Sequence, residues 1–269
     1  MRKLCVSVTG VAAVALLVAC LWTSASAQAP AVGQKYVPPP AGQPDLQGIW
    51  RVWNLAKYDV EDHGARPGIP AGKGVIVDPP GGKIPYRPEA LAKRDENFKN
   101  SRNQDPWKSA DPFHKCYSPG VPRITYLGWP FQIVQTPKYV SFIYEWMHQR
   151  RFAYYDPSGR IPGVDFWNGD SRAKWEGKAL VINVGDLNDR TWFDMSGNYH
   201  SEALHVVERY TLVNQNTLDY EVTLEDPKVF TRAWTMKMPI TRQTDVGLLD
   251  YECHALLDEL GIPITWPRE

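Results

Sequence analysis

From residue 130 onward the chain is a succession of short strand-forming runs separated by turn residues, with no amphipathic helical period between them. That pattern limits the fold more than any other feature. In the run 130–136, Phe131, Ile133 and Gln135 alternate with Gln132 and Val134. Residues 139–155 form a long β-rich stretch, either two paired strands or one bent strand. A run at 179–184 follows the turn Glu176-Gly177-Lys178. Further runs cover 204–213, 218–225 and 230–238, separated by Asn214-Gln215-Asn216 and Asp226-Pro227-Lys228. Residues 248–253 are expected to add a closing strand and 255–260 a short helix. Strands joined this closely make an antiparallel meander, and closing it into a barrel removes its edges. The expected fold class is therefore mainly β: an antiparallel meander closing into a β-barrel, with a Pro/Gly-rich N-terminal excursion and one or two short helices.

The first part of the chain reads differently. Arg2 and Lys3, the apolar run 11–22 and Ala25-Ser26-Ala27 make up a signal peptide, residues 1–27, cleaved before Gln28. The apolar run is short for a bilayer span. Leu17-Val18-Ala19-Cys20 also matches a lipoprotein box that would anchor Cys20 to lipid, but the apolar pair Leu21-Trp22 that follows disfavours it. Residues 28–45, with Pro38-Pro39-Pro40, are expected to be a disordered leader, and 46–269 a single barrel domain. The implied location is periplasmic or secreted, with no membrane span. Cleavage leaves Cys116 and Cys253, an even pair that an oxidising compartment favours as a disulfide. Between residues 61 and 115 Gly and Pro punctuate the chain around one helix, 88–98, opened by Pro88. An irregular excursion of that length is usually functional or caps something.

Charge excludes one class of partner. Lys and Arg number 30 against 30 Asp and Glu, whereas nucleic-acid binding depends on clustered cations facing phosphates. A hydrophobic content of 43%, with 12% aromatic residues, excludes a chain disordered throughout.

Candidate chemistry lies between Glu145 and Arg209. Strand alternation places Tyr144, Trp146, His148 and Arg150 on one aromatic-lined face. The same alternation places Glu145 and Arg151 together on the other face, unless a bulge near Met147 reverses the phase. His148 is then the candidate proton-transfer group, because imidazole titrates near neutral pH. Asp194, His200 and Glu202 are the candidate partner acids and bases. Tyr144, Trp146, Arg151, Trp192, His205 and Arg209 are candidate substrate-binding residues, the arginines for an anionic group or oxyanion. The bland alternative makes the histidines turn caps and half-buried strand residues. A metal is not expected: His200, Glu202 and His205 have suitable donors, but an odd spacing on a strand points the two histidines to opposite faces. No cofactor motif is present, and Gly169-Asp170-Ser171 lacks the flanking glycine of a nucleophile elbow.

Several of these motifs also carry a resemblance. Gly169-Asp170-Ser171, Trp175-Glu176-Gly177 and His200-Ser201-Glu202-x-Leu204-His205-Val206-Val207-Glu208-Arg209 occur here in the order seen in a family of exported bacterial proteins. So do Ile133-Val134-Gln135-Thr136-Pro137 and Tyr144-Glu145-x-x-His148-x-x-Arg151. Gly48-x-Trp50 in turn resembles the opening strand of lipocalin-like barrels, whose Trp plugs the barrel base. The resemblance implies export and a lipocalin-like β fold, and no particular activity.

Two functions of different class stand at this point. One is an exported enzyme acting on a small apolar or aromatic compound by His/carboxylate acid–base chemistry. The other is a periplasmic lipocalin-like binding protein for an apolar small molecule, with the same polar groups orienting it.

Overall fold

The structure, a computed structural model, describes Pro39 and residues 42–67, 69–101, 111–161 and 163–259. The expected signal peptide, Cys20 and most of the leader lie outside the described residues.

Ten strands run in order: β1 Gly48–Arg51, β2 Ile76–Asp78, β3 Phe131–Gln135, β4 Tyr139–Tyr144, β5 Arg150–Tyr154, β6 Asp170–Glu176, β7 Ala179–Gly185, β8 His205–Asn214, β9 Thr217–Glu225 and β10 Trp234–Gln243. Two helices, α1 Pro88–Asn100 and α2 Cys253–Glu259, and two 3-10 turns, Pro112–Lys115 and Arg123–Tyr126, complete them. Nine strands close on themselves in the order β1-β3-β4-β5-β6-β7-β8-β9-β10, because β1 pairs with both β3 and β10. The small strand β2 pairs with the start of β10. The expected barrel is therefore present. Its meander is interrupted once: β5 and β6 are parallel, paired only through Ala153–Ser171 and Tyr154–Arg172. A parallel pair needs a crossover, and residues 155–169 supply it.

Period-two burial puts one face of each strand in the lumen. Burial alternates through β9, where Leu218, Tyr220, Val222 and Leu224 are fully buried. Trp234, Met236, Met238 and Ile240 continue the pattern on β10. Phe131, Phe142, Tyr210 and Trp50 meet them across the lumen, so the interior is occupied by the protein's own large side chains. Trp50 is held at its edge by a hydrogen bond from Nε1 to the Leu46 carbonyl, 2.8 Å, and the Arg242 guanidinium lies 4.2 Å from the ring centroid. Gly48 has φ +126° and faces that guanidinium so closely that a Cβ would collide with it. The Gly-x-Trp pair thus reflects a cation–aromatic stack packed on bare backbone.

The register separates two ends. Tight turns at 136–138, 177–178 and 215–216 close one end, where Gly177 supplies the positive φ (+59°) that a two-residue hairpin turn needs. The long connections 52–130, 186–204 and 226–233 leave from the other end.

Two local expectations need correction, and one alternative is decided. Residues 248–253 form no strand; only Tyr251 makes an isolated bridge, with Trp146. The stretch 139–155 is two strands, joined by a turn in which Met147 and His148 both have positive φ, +51° and +49°. The Gln149 N–H donates to the Trp146 carbonyl at 3.2 Å, which defines a primed hairpin turn. That turn reverses the side-chain phase, so Tyr144 and Arg151 both point into the lumen, and the expected Glu145–Arg151 pair does not form.

Cys116 and Cys253 are joined by a disulfide, with Cα atoms 5.6 Å apart. It sits in a second, smaller core of Leu127, Trp146, Phe113, Trp129, Met147 and Tyr251. Among the described residues no helix is long and apolar enough to cross a membrane.

Candidate functional site

The residues singled out from the sequence fall into six separate places. Arg151 and Tyr144 are in the lumen, where Arg151 pairs with Glu208 and its Nε donates to Ser171 Oγ at 2.8 Å. Glu208 Oε1 also accepts from Tyr210 and Tyr220, at 3.0 and 2.7 Å. Burial, and after it the Glu208 charge, pushes both phenols well above their ordinary values. Trp146 belongs to the disulfide core, stacked on Phe113 with centroids 4.6 Å apart.

His148 lies at the surface turn. Its Nε2 is 2.9 Å from Glu252 and its Nδ1 3.6 Å from Asp250. His205 and Arg209 are on the outer face of β8. Arg209 pairs with Glu176 at 2.5 Å, and His205 stands in register with Glu225.

Asp194, His200 and Trp192 occupy the loop between β7 and β8. Asp194 is fully buried and held by donors: Oδ2 accepts from the Val60 N–H (2.9 Å) and Asn198 Nδ2 (2.6 Å), Oδ1 from the Ser196 N–H (2.8 Å). Burial, with the nearby Asp59 carboxylate adding to it, pushes its pKa up to about 7. Asp59 is bound to Arg66 at 3.0 Å, and Arg66 also donates to Ser196. This network clips residues 59–66 onto the loop. Trp192 is buried and bridges to Tyr199.

His200 is buried, and burial lowers its pKa, so its imidazole is neutral at pH 7. Nδ1, 2.8 Å from the Ser201 carbonyl, donates to it. Nε2 then accepts from Thr191 Oγ1 at 2.6 Å. Thr191 is itself buried against Gly120, where a Cβ would strike the threonine side chain. Both histidine nitrogens are therefore engaged inside the protein.

One sequence-nominated residue, Glu202, does line a cavity. It has a volume of about 430 Å³ and is bounded by Asp165, Trp167, Asn188, Asp189, Arg190 and Glu202. The residues come from the end of the β5–β6 crossover and from the β7–β8 connection, at the end of the barrel that carries the long loops. Glu202 is ion-paired with Lys228, which lowers its pKa. Trp167 is braced edge-on by Tyr117, 5.4 Å between centroids. Lys228 offsets Glu202, and Asp165 and Asp189 against the single guanidinium of Arg190 leave the cavity net acidic, with an indole in its wall.

Trp167, Asn188, Asp189 and Arg190 were not among the candidates drawn from the sequence. The available signal was three consecutive polar side chains between two strands, in a loop too long for a hairpin. Among the described residues, no group of three or more His, Cys, Asp or Glu is placed to hold a metal ion.

Fold and cavity together define the class: a closed, lipocalin-like β-barrel with a filled lumen and an acidic cavity at its loop-bearing end. The chain matches no family model, no curated protein and no solved structure.

Proposed function

We propose that the protein is an exported binding protein that takes a small organic cation, an ammonium group on an apolar body, in the acidic cavity beside Trp167. The observation that carries this reading is the lining itself: Asp165, Asp189 and Glu202 against Arg190, with an indole alongside. An excess of carboxylates favours a cation, and an indole face attracts a cation as well as an apolar body. The ligand class differs from the apolar compound suggested by the sequence because the lumen is occupied by Trp50, Tyr210, Tyr220 and Trp234. Binding is favoured over acid–base catalysis because His148, Asp194 and His200 each bond to different protein partners. A general base must be within reach of the proton it takes, and the His200 nitrogens are already committed.

Titration calorimetry with benzyltrimethylammonium, and with benzyl alcohol as its uncharged counterpart, tests the proposal. Saturable binding of the cation alone, weakened at least tenfold by Trp167→Ala and by Asp189→Asn, is the expected result. Equal binding of the two compounds, or no binding of either, overturns it.

A further inference from the structure

A second cavity, of opposite character, lies away from the first. It has a volume of about 380 Å³ and is bounded by Arg51, Trp129, Pro130, Glu145, Gln243, Val246, Gly247 and Leu249. Its walls are largely apolar, with one cation among the lining residues and a second beside one wall. Arg51 lines it directly. Lys57 approaches the Trp129 wall, its Nζ 5.6 Å from that ring's centroid.

Neither cation has an acidic partner among the described residues. Among the described residues, the side chains of Arg51 and Lys57 make no hydrogen bond or ion pair, although most other arginines here do. Arg51 instead lies over Trp53, its guanidinium carbon 3.8 Å from the ring centroid, with Nε buried and unbonded. Trp53 is 62% exposed, unusual for so large an apolar ring. Burial, and after it the Arg51 charge, lowers the Lys57 pKa, as expected for two cations held close without a counter-charge. One carboxylate is present: Glu145 is buried, and its Oε2 accepts the Leu249 N–H at 3.0 Å, fixing the 243–249 segment as the rim. Arg51 balances Glu145 within the lining, and Lys57, beside the Trp129 wall, adds one positive charge at the edge of this apolar, indole-walled space.

From this charge count and lining we infer that the cavity binds a small monocarboxylate with a planar apolar body, its carboxylate on Arg51 and Lys57 and its body against Trp129. A guanidinium offers a planar fork that matches two carboxylate oxygens. The indole and the Pro130, Val246 and Leu249 side chains then cover the apolar part.

The probe is benzoate, with benzyl alcohol as the uncharged control, followed on the Trp129 indole N–H resonance of the full chain and assigned with Trp129→Phe. Benzoate should shift that resonance saturably while benzyl alcohol leaves it in place. The double variant Arg51→Gln/Lys57→Gln should weaken binding at least tenfold. Glu202→Gln, in the other cavity, should leave benzoate binding unchanged. Unchanged strand circular dichroism in the double variant keeps a loss of binding interpretable. Failure of benzoate to shift the resonance, equal shifts by both compounds, or undiminished binding by a folded double variant overturns the inference. Each of these results is independent of whether benzyltrimethylammonium binds.

Discussion

Arg151 on β5 and Glu208 on β8 are bonded to each other in the barrel lumen, both almost completely shielded from water. In a ligand-carrying barrel this space would belong to the ligand. Here it holds an ion pair, finished by Ser171, Tyr210 and Tyr220. A buried pair is costly to desolvate, and removing one partner strands the other charge. Glu208→Gln should therefore destabilise the protein by about 3–5 kcal/mol. The double variant Arg151→Met/Glu208→Leu should recover much of that loss. Urea denaturation of the three proteins checks both statements.

Asp194 makes stability depend on pH in a defined direction. Its folded pKa is pushed up to about 7 by burial and by Asp59, against about 3.9 in an unfolded chain. Between these values the folded state holds a proton that the unfolded state has lost, so stability falls as pH rises through the interval. His200 acts in the opposite sense. Its folded pKa is lowered, so its contribution rises with pH and levels off near the ordinary histidine value of about 6.5. From about pH 6.5 to 8 the Asp194 effect is left without that compensation, and the melting temperature should drop. Asp59→Asn should shallow the drop without abolishing it, because burial is the larger cause. Thermal melts across that pH range decide the matter, and a flat profile would count against this account.

The turn at Met147-His148 carries backbone strain. Both residues have positive φ, a conformation that costs side-chain-bearing residues of this kind on the order of 1–3 kcal/mol. Packing of Trp146 and a hydrogen bond from the Cys253 N–H to Met147 Sδ, 3.3 Å, hold the turn in place. His148→Gly should raise stability by roughly 1 kcal/mol, since glycine adopts this region freely and the surface pair with Glu252 is weak. A measured decrease in the urea midpoint would instead assign the imidazole a role beyond the turn.

The disulfide links Cys116, between β2 and β3, to Cys253 in α2, across a sequence separation of 137. Cross-linking a loop of that size restricts the unfolded chain, and its loss should cost about 2–5 kcal/mol. Both sulfurs lie in buried residues. The native protein should therefore resist alkylation until reductant and denaturant are both added, which intact-mass measurement reads directly. The variant Cys116→Ser/Cys253→Ser should melt earlier than the oxidised protein and match the reduced one.

Local pattern was enough to read the barrel. Alternation in 131–135 and 218–225, the turn residues at 177–178 and 215–216, and the absence of helical period dictate strands, hairpins and closure. Pro88 marked a helix that runs from there to Asn100. A break within 139–155 and a phase reversal near Met147 were open alternatives, but the primed turn at 147–148 was not legible, because such a turn ordinarily announces itself with Asn-Gly or a similar pair and Met-His carries no such signal. One missed turn moved Arg151 from the outer face into the lumen. The parallel β5–β6 pair was hidden for a related reason: which strand a neighbour joins depends on the path of the crossover, and composition does not record it.

The sequence by itself determined what alternation and turn chemistry can encode: a β-barrel, its Gly48-x-Trp50 opening and a cysteine pair suited to bonding. Tertiary structure alone decided which polar residues share a place. Strand alternation tells which face a side chain takes, but where loops from distant strands converge depends on barrel closure. His148, Asp194 and His200 were thereby dispersed to separate partners. Trp167, Asp189 and Glu202 were gathered around one cavity, and Arg51 was set beside Lys57 and Trp129.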